Sequence, residues 1–187
     1  MACVNANGDK MPPFVIFKGK DLWDNWIPKS GDWPNKSYAA SANGWMTSEL
    51  FLNWFTKSFV PHVKGETPCL LIFDGHGSHV TVHLIKAAQM NGITIIKLLA
   101  HTSHILQPLN VACFRGLKAK WDQKLTVWQR LHVGSRPGKA EFAKLLGNVW
   151  ADLTASNMIS GFRGTGIYDG TIVGDLKVNR FAVSQKV

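Results

Sequence analysis

The sequence has no long hydrophobic run: its longest uninterrupted apolar stretch, Cys69 to Phe73, is five residues, against the roughly 20 that a membrane-spanning helix needs. Asp9 and Lys10 stand where an apolar signal core would lie, so neither a secretory origin nor a membrane partner is expected. Cysteine is scarce as well. Cys3, Cys69 and Cys113 are odd in number and have no C-x-x-C spacing, which excludes a disulfide framework or a cysteine-rich zinc cluster and reads as reduced, buried thiols of a cytosolic or nuclear protein. Acidic residues are few, 12 against 21 basic, for a formal net charge of +9. Apolar and aromatic residues are plentiful. Hydrophobic residues make up 45% of the chain, with eight Trp and ten Phe, too many for a disordered, solvated polymer. The 187 residues suit one domain with a core of useful size.

The excess positive charge is concentrated. Residues 1–114 carry 9 basic and 7 acidic side chains, 115–144 carry 8 and 2, and 145–187 carry 4 and 3, so two thirds of the excess falls in 30 residues. Such a cluster is the electrostatic footprint of a polyanion partner, or a solvated face with no partner. The candidate phosphate-binding residues are Arg115, Lys118, Lys120, Lys124, Arg130, Arg136, Lys139 and Lys144.

Apolar patterning and breakers give an alternating α/β organisation. Met1 to Val4 and Phe14 to Phe17 flank Asn7-Gly8, a hairpin signal, and predict an antiparallel pair. Lys18 to Lys36, with Gly19, Pro28, Gly31 and Pro34, predicts a loop carrying Trp23, Trp26 and Trp33. Ser37 to Ala42 reads as a third strand. Thr47 is an N-cap for a helix whose Leu50, Phe51, Trp54 and Phe55 share a face and which Pro61 should stop. Cys69–Phe73 reads as a strand buried on both faces, Leu84, Ile85 and Ala88 as a helix, and Ile93 to Leu99 as a second buried strand. Together they predict a parallel, right-handed unit. From Pro108 a long helix places Phe114, Leu117, Trp121, Leu125 and Trp128 on one stripe, expected to face the core. Its basic residues surround the helix without forming a ribbon. A shorter helix over Lys139 to Leu153 precedes a stretch expected to be irregular.

Chemistry is expected at the carboxyl ends of the two buried strands, where ligands sit in α/β sheets. Asp74 follows the first of them, and Asp74-Gly75-His76-Gly77-Ser78-His79 and His101-Thr102-Ser103-His104 converge on that edge. A lone Asp after a strand is equally a turn residue, so position alone leaves its role open.

Four blocks carry a resemblance. Asn-Ala-Asn-Gly-Asp-Lys-Met-Pro-Pro-Phe-Val-Ile-Phe-Lys-Gly at 5–19, Leu-Ile-Phe-Asp-Gly-His-Gly-Ser-His at 71–79, Ala-His-Thr-Ser-His-Ile-Leu-Gln-Pro-Leu-Asn at 100–110 and Gly-Phe-Arg-Gly-Thr-Gly-Ile-Tyr at 161–168 resemble the DDE superfamily endonuclease domain. The similarity is to pogo-like and Jerky-like transposases and proteins derived from them. It implies an RNase H-like fold, a mixed sheet flanked by helices, over residues 1–170, with 171–187 a tail. It also implies three acidic residues holding two Mg²⁺ ions, one to activate a hydroxyl and one to steady the leaving oxygen of a phosphodiester. The match carries the second acid onto Asp74. The third falls on Asn110, with 35 residues between, where an amide can ligate an ion but supplies no charge, so weak Mg²⁺ binding is expected. The first acid lies on a strand that would precede Met1. The expectation is therefore a domain lacking its first, central strand, with unpaired edges unless another segment or chain, such as a second copy, fills the gap.

His76, His79, His101 and His104 have i, i+3 spacings that could suit zinc, but such histidines are normal in the resembling motifs, and loop hydrogen bonding is the simpler reading. Trp23, Trp26 and Trp33 could stack on unpaired bases or serve as apolar payload, and the second is favoured. The resulting expectation is a nuclear, transposase-derived DNA-binding domain with degenerate catalysis and no small-molecule substrate. The alternatives are an active metal-dependent nuclease completed by an upstream acid, or a nonfunctional fragment. The helix-turn-helix domains that read sequence in this family have no counterpart here, so binding should be nonspecific and salt-sensitive.

Overall fold

A computed structural model describes residues 1–29, 37–74, 80–99, 101–168 and, as backbone, 181–185. Strand β1 (Ala2–Asn5) opens the chain. Gly8 turns it at φ +92°, the left-handed region that glycine tolerates. The return arm is antiparallel, with Met11 N–H donating to Cys3 O at 3.0 Å and Phe14 N–H to Met1 O at 2.8 Å. The arm continues as β2 (Val15–Lys18), which leaves β1 and pairs in parallel with β3 (Tyr38–Ser41).

Helix α1 (Ser48–Trp54) starts where Thr47 predicts, its side chain accepting from Leu50 N–H at 3.2 Å. The helix runs on through a wider π segment, Phe55–Phe59, into α2 (Val60–His62). It ends at His62, one residue past Pro61, as the sequence predicts. Strands β4 (Cys69–Phe73) and β5 (Ile93–Lys97) pair in parallel around α3 (Val82–Met90). This is the predicted crossover unit, but β5, expected to be buried, is an edge strand of the sheet in which only Ile93 is buried, and Ile96 is 43% exposed. Helix α4 (Ser103–Leu106), a π segment at Leu109–Cys113 and α5 (Phe114–Leu131) follow, then α6 (Lys139–Ala151) and α7 (Ala155–Gly164).

Three further sequence expectations change. Residues after Leu153 are not irregular: Thr154 and Asn157 form a capping box that starts α7, which buries Met158 and Phe162. Residues 181–185, expected in the tail, form β6, which lies between β1 and β4 in a sheet ordered β1-β6-β4-β5. It runs antiparallel to β1 (Val183 opposite Val4) and parallel to β4 (Val183 opposite Ile72). The gap expected in the centre of the sheet is thus filled by this chain's own C-terminal segment. Finally, the stripe on α5 buries only Phe114; Leu117, Trp121, Leu125 and Trp128 are half-buried, because α6 covers part of that face. The periodicity identified the face correctly but not how much of it meets a partner.

The four-stranded sheet has a buried cluster on each face. On one, Cys3, Leu71 and Phe73 pack with Phe51, Trp54, Phe55, Phe59 and Leu84. On the other, Ala2, Val4 and Ile72 pack with Leu109, Phe114, Trp150, Met158 and Phe162. The alternation of Leu71 and Ile72 between the clusters is the two-residue period of a strand buried on both faces. A third cluster joins Val15, Phe17 and Tyr38 of the small sheet to Ala143 of α6. All three cysteines are free and buried.

Candidate functional site

Strand β4 ends in Phe73, whose main-chain oxygen accepts from Leu98 N–H at 2.9 Å, so β4 and the residue after β5 are fastened together where Asp74 emerges, half-buried. Ile72, two residues before Asp74, and Leu109, one before Asn110, share the same buried cluster. The sheet and the π segment therefore meet through Ile72 and Leu109, the neighbours of Asp74 and Asn110 in sequence. The fourth motif block locks this arrangement from behind. A Cβ added at Gly161 of α7 would stand 2.5 Å from Pro108 O, so only glycine allows the helix to approach the Gln-Pro-Leu-Asn block this closely.

The Asn110 amide is committed as a donor. Its Nδ2 donates to Ser103 O at 3.1 Å and to Gln107 Oε1 at 3.0 Å, and Gln107 is fully buried. A carboxylate at 110 has no proton to offer those two oxygens and would be repelled by both. Among the described residues no group of three or more His, Cys, Asp or Glu side chains gathers to hold a metal ion. Asp74 with a donating Asn110 does not fit a two-Mg²⁺ site, which needs several anionic oxygens. His101, at φ +63°, and His104 are exposed. His76, His79 and Trp33 lie outside the described residues.

The eight basic candidates divide into two groups. Lys120 Nζ donates to Asp152 O at 3.0 Å, and Lys124 Nζ donates to Asn148 O at 3.3 Å and pairs with the Asp152 carboxylate at 3.1 Å. Lys10, from the hairpin turn, joins them with bonds to Trp150 O, Ala151 O and Leu153 O at 2.7 to 2.9 Å. Three ammonium groups thus gather on the carbonyl end of α6, the negative pole of that helix. The hydrogen bond from Lys124, helped by the charges of Lys124, Lys120 and Lys10, holds the Asp152 carboxyl below its ordinary range, while partial burial lowers Lys10. Lys139 donates to Lys18 O at 2.8 Å and lies 3.0 Å from the centre of the Trp26 ring, a cation–π contact. In contrast, Arg115, Lys118, Arg130, Arg136 and Lys144 are exposed and have no hydrogen-bond or ion-pair partner among the described residues. Sequence spacing could not separate the groups, since only the fold brings main-chain carbonyls to Lys120, Lys124 and Lys139. Trp23, favoured as apolar payload, is instead 61% exposed.

The model of the DDE superfamily endonuclease matches residues 1–162. The chain belongs to the DDE superfamily of endonucleases. This DDE domain is 33% identical over 172 residues to a protein of Cochliobolus lunatus described as an MFS-type transporter, covering 88% of this chain and 18% of that one. It is 23% identical over 180 residues to the mouse pogo transposable element with KRAB domain, covering 87% of this chain and 28% of that one. The DDE domain thus spans less than a third of the length of either relative. No solved structure matches it. No helix among the described residues is long and apolar enough to cross a membrane.

Proposed function

We propose that this DDE domain is a transposase-derived nucleic-acid-binding module that holds DNA without cutting it, and that it acts in the nucleus. The observation that carries the reading is the split among its cations. Lys120, Lys124 and Lys139 are occupied within the fold, whereas Arg115, Lys118, Arg130, Arg136 and Lys144 are exposed and unpartnered among the described residues. Five unpartnered cations over 30 residues are suited to phosphate contacts, which hold a duplex without reading its sequence. Kinship with a pogo transposable element supports DNA as the polyanion. Loss of cutting follows from Asn110, which donates two hydrogen bonds at the position where the family's third acid is implied.

The decisive assay incubates the purified chain with end-labelled duplex DNA and Mg²⁺ or Mn²⁺. Retarded but intact DNA is expected. Metal-dependent cleavage abolished by Asp74→Ala would overturn the loss of catalysis, and absence of any retarded species would overturn the binding.

A further inference from the structure

A cavity of about 500 Å³ opens between the β1 end of the sheet and helices α5 and α6. Its volume lies within the range of small-ligand sites. Its walls include Trp45, Trp121, Phe142 and Phe114, and its polar groups include Asn110 and Lys118. Two wall aromatics remain open to solvent, Trp45 at 64% and Phe142 at 37% exposure. Trp121 and Phe142 meet edge to face, with centroids 5.1 Å apart and planes at 61°, which gives the cavity aromatic walls of different orientation. Asn110 spends its Nδ2 protons on Ser103 and Gln107, so its Oδ1 is left as an acceptor. Lys118 is exposed at the cavity, and Arg115 lies one helical turn before it.

An open aromatic slot with one hydrogen-bond acceptor and adjacent cations matches a flat heterocycle carrying an exocyclic amine and joined to a phosphate. We propose that this cavity receives one unstacked base of a bound nucleic acid. The base stacks on Trp45 and Phe142, its amine donates to Asn110 Oδ1, and its phosphate lies against Lys118 and Arg115. The cationic rim favours this occupant over a neutral apolar peptide. The inference rests on the DNA-binding reading and adds to it a preference for distorted or unpaired DNA.

The test compares, by fluorescence anisotropy on the full chain, a short duplex with the same duplex bearing one unpaired adenine. The unpaired probe is expected to bind about tenfold more tightly, the order contributed by one base stacked on an aromatic ring. Trp45→Ala and Phe142→Ala should reduce that ratio to about one, while Met90→Ala, an exposed apolar side chain outside the cavity, should preserve it. Unchanged thermal melting of each variant guards against misfolding. Equal affinity for both probes, or a preference that survives Trp45→Ala, would overturn the base site while leaving duplex binding intact. Failure to bind either probe would instead sink the DNA-binding reading itself.

Discussion

Lys10 Nζ lies 2.7 Å from the main-chain oxygen of Trp150, 140 positions further along the chain. That bond, with those to Ala151 O and Leu153 O, ties the hairpin turn of the first motif block to the end of α6. A lysine in a turn would ordinarily count as solvated charge. Here it satisfies carbonyls that a helix terminus leaves without partners. Lys10→Met should therefore destabilise the domain by about 1.5–3 kcal/mol, the range for hydrogen bonds to a charged group, read from the urea midpoint. An unchanged midpoint would mean that water serves those carbonyls equally well.

Gly161 and Gly116 should respond to alanine in opposite ways. At Gly161 the new methyl meets Pro108 O at 2.5 Å, so α7 must move from the Gln-Pro-Leu-Asn block, at a cost of about 1–3 kcal/mol. At Gly116, exposed within α5, an added Cβ meets nothing within 4 Å, and alanine should stabilise by about 0.5–1 kcal/mol through helix propensity. Thermal melting of the two variants should show opposite shifts. The same sign for both would contradict the packing of α7 on Pro108.

The C-terminal strand should be integral to the sheet. Val183 of β6 stands opposite both Val4 and Ile72, and a proline at 183 removes an N–H from a central strand. A loss of more than about 1 kcal/mol is expected from the unpaired ladder group alone. Proteolysis should then become faster within β1 and β4, measured by limited digestion and mass spectrometry. Wild-type stability in Val183→Pro would show that β6 does not close the sheet.

Burial raises the thiol pKa of Cys69 and of Cys113 to about 11 and pushes Cys3 up further still. A group raised above its unfolded value contributes stability in full below the unfolded pKa of roughly 8.5 and loses it as pH rises toward the folded value. Stability should therefore fall between about pH 9 and pH 11, with a shallower fall in Cys69→Ala and Cys113→Ala. At pH 8 the native chain should resist alkylation by iodoacetamide, and all three cysteines should react in denaturant. Rapid labelling of the native chain would contradict the buried, protonated thiols.

Legibility in the sequence followed the range of the interactions that decide each element. Strands β4 and β5 and the Thr47 start of α1 were readable because apolar runs and caps are local signals. The start of α7 carries a local signal, Thr154 and Asn157 with Met158 and Phe162 four apart, but Gly161, Gly164 and Gly166 make the stretch read as irregular. Strand β6 was not readable, since nothing local in Phe181–Gln185 marks a central strand; its place comes from β1 and β4, more than 100 residues earlier. At the candidate site, Asp74 and Asn110 were identified by motif, and the donor role of Asn110 emerged only with Ser103 and Gln107 in place. The eight cations likewise looked equivalent until the end of α6 and the Trp26 ring claimed three of them.

The most direct measurement of the proposed function is the salt dependence of duplex affinity, followed by anisotropy from about 50 to 300 mM monovalent salt. Each phosphate neutralised contributes about 0.9 to the slope of log affinity against log salt. With Arg115, Lys118, Arg130, Arg136 and Lys144 engaged, the predicted slope is about −4 to −5, reduced by about one in Arg130→Ala or Arg136→Ala. A slope near zero, or one unchanged by either substitution, would contradict a DNA-binding module that grips phosphate through its exposed cations.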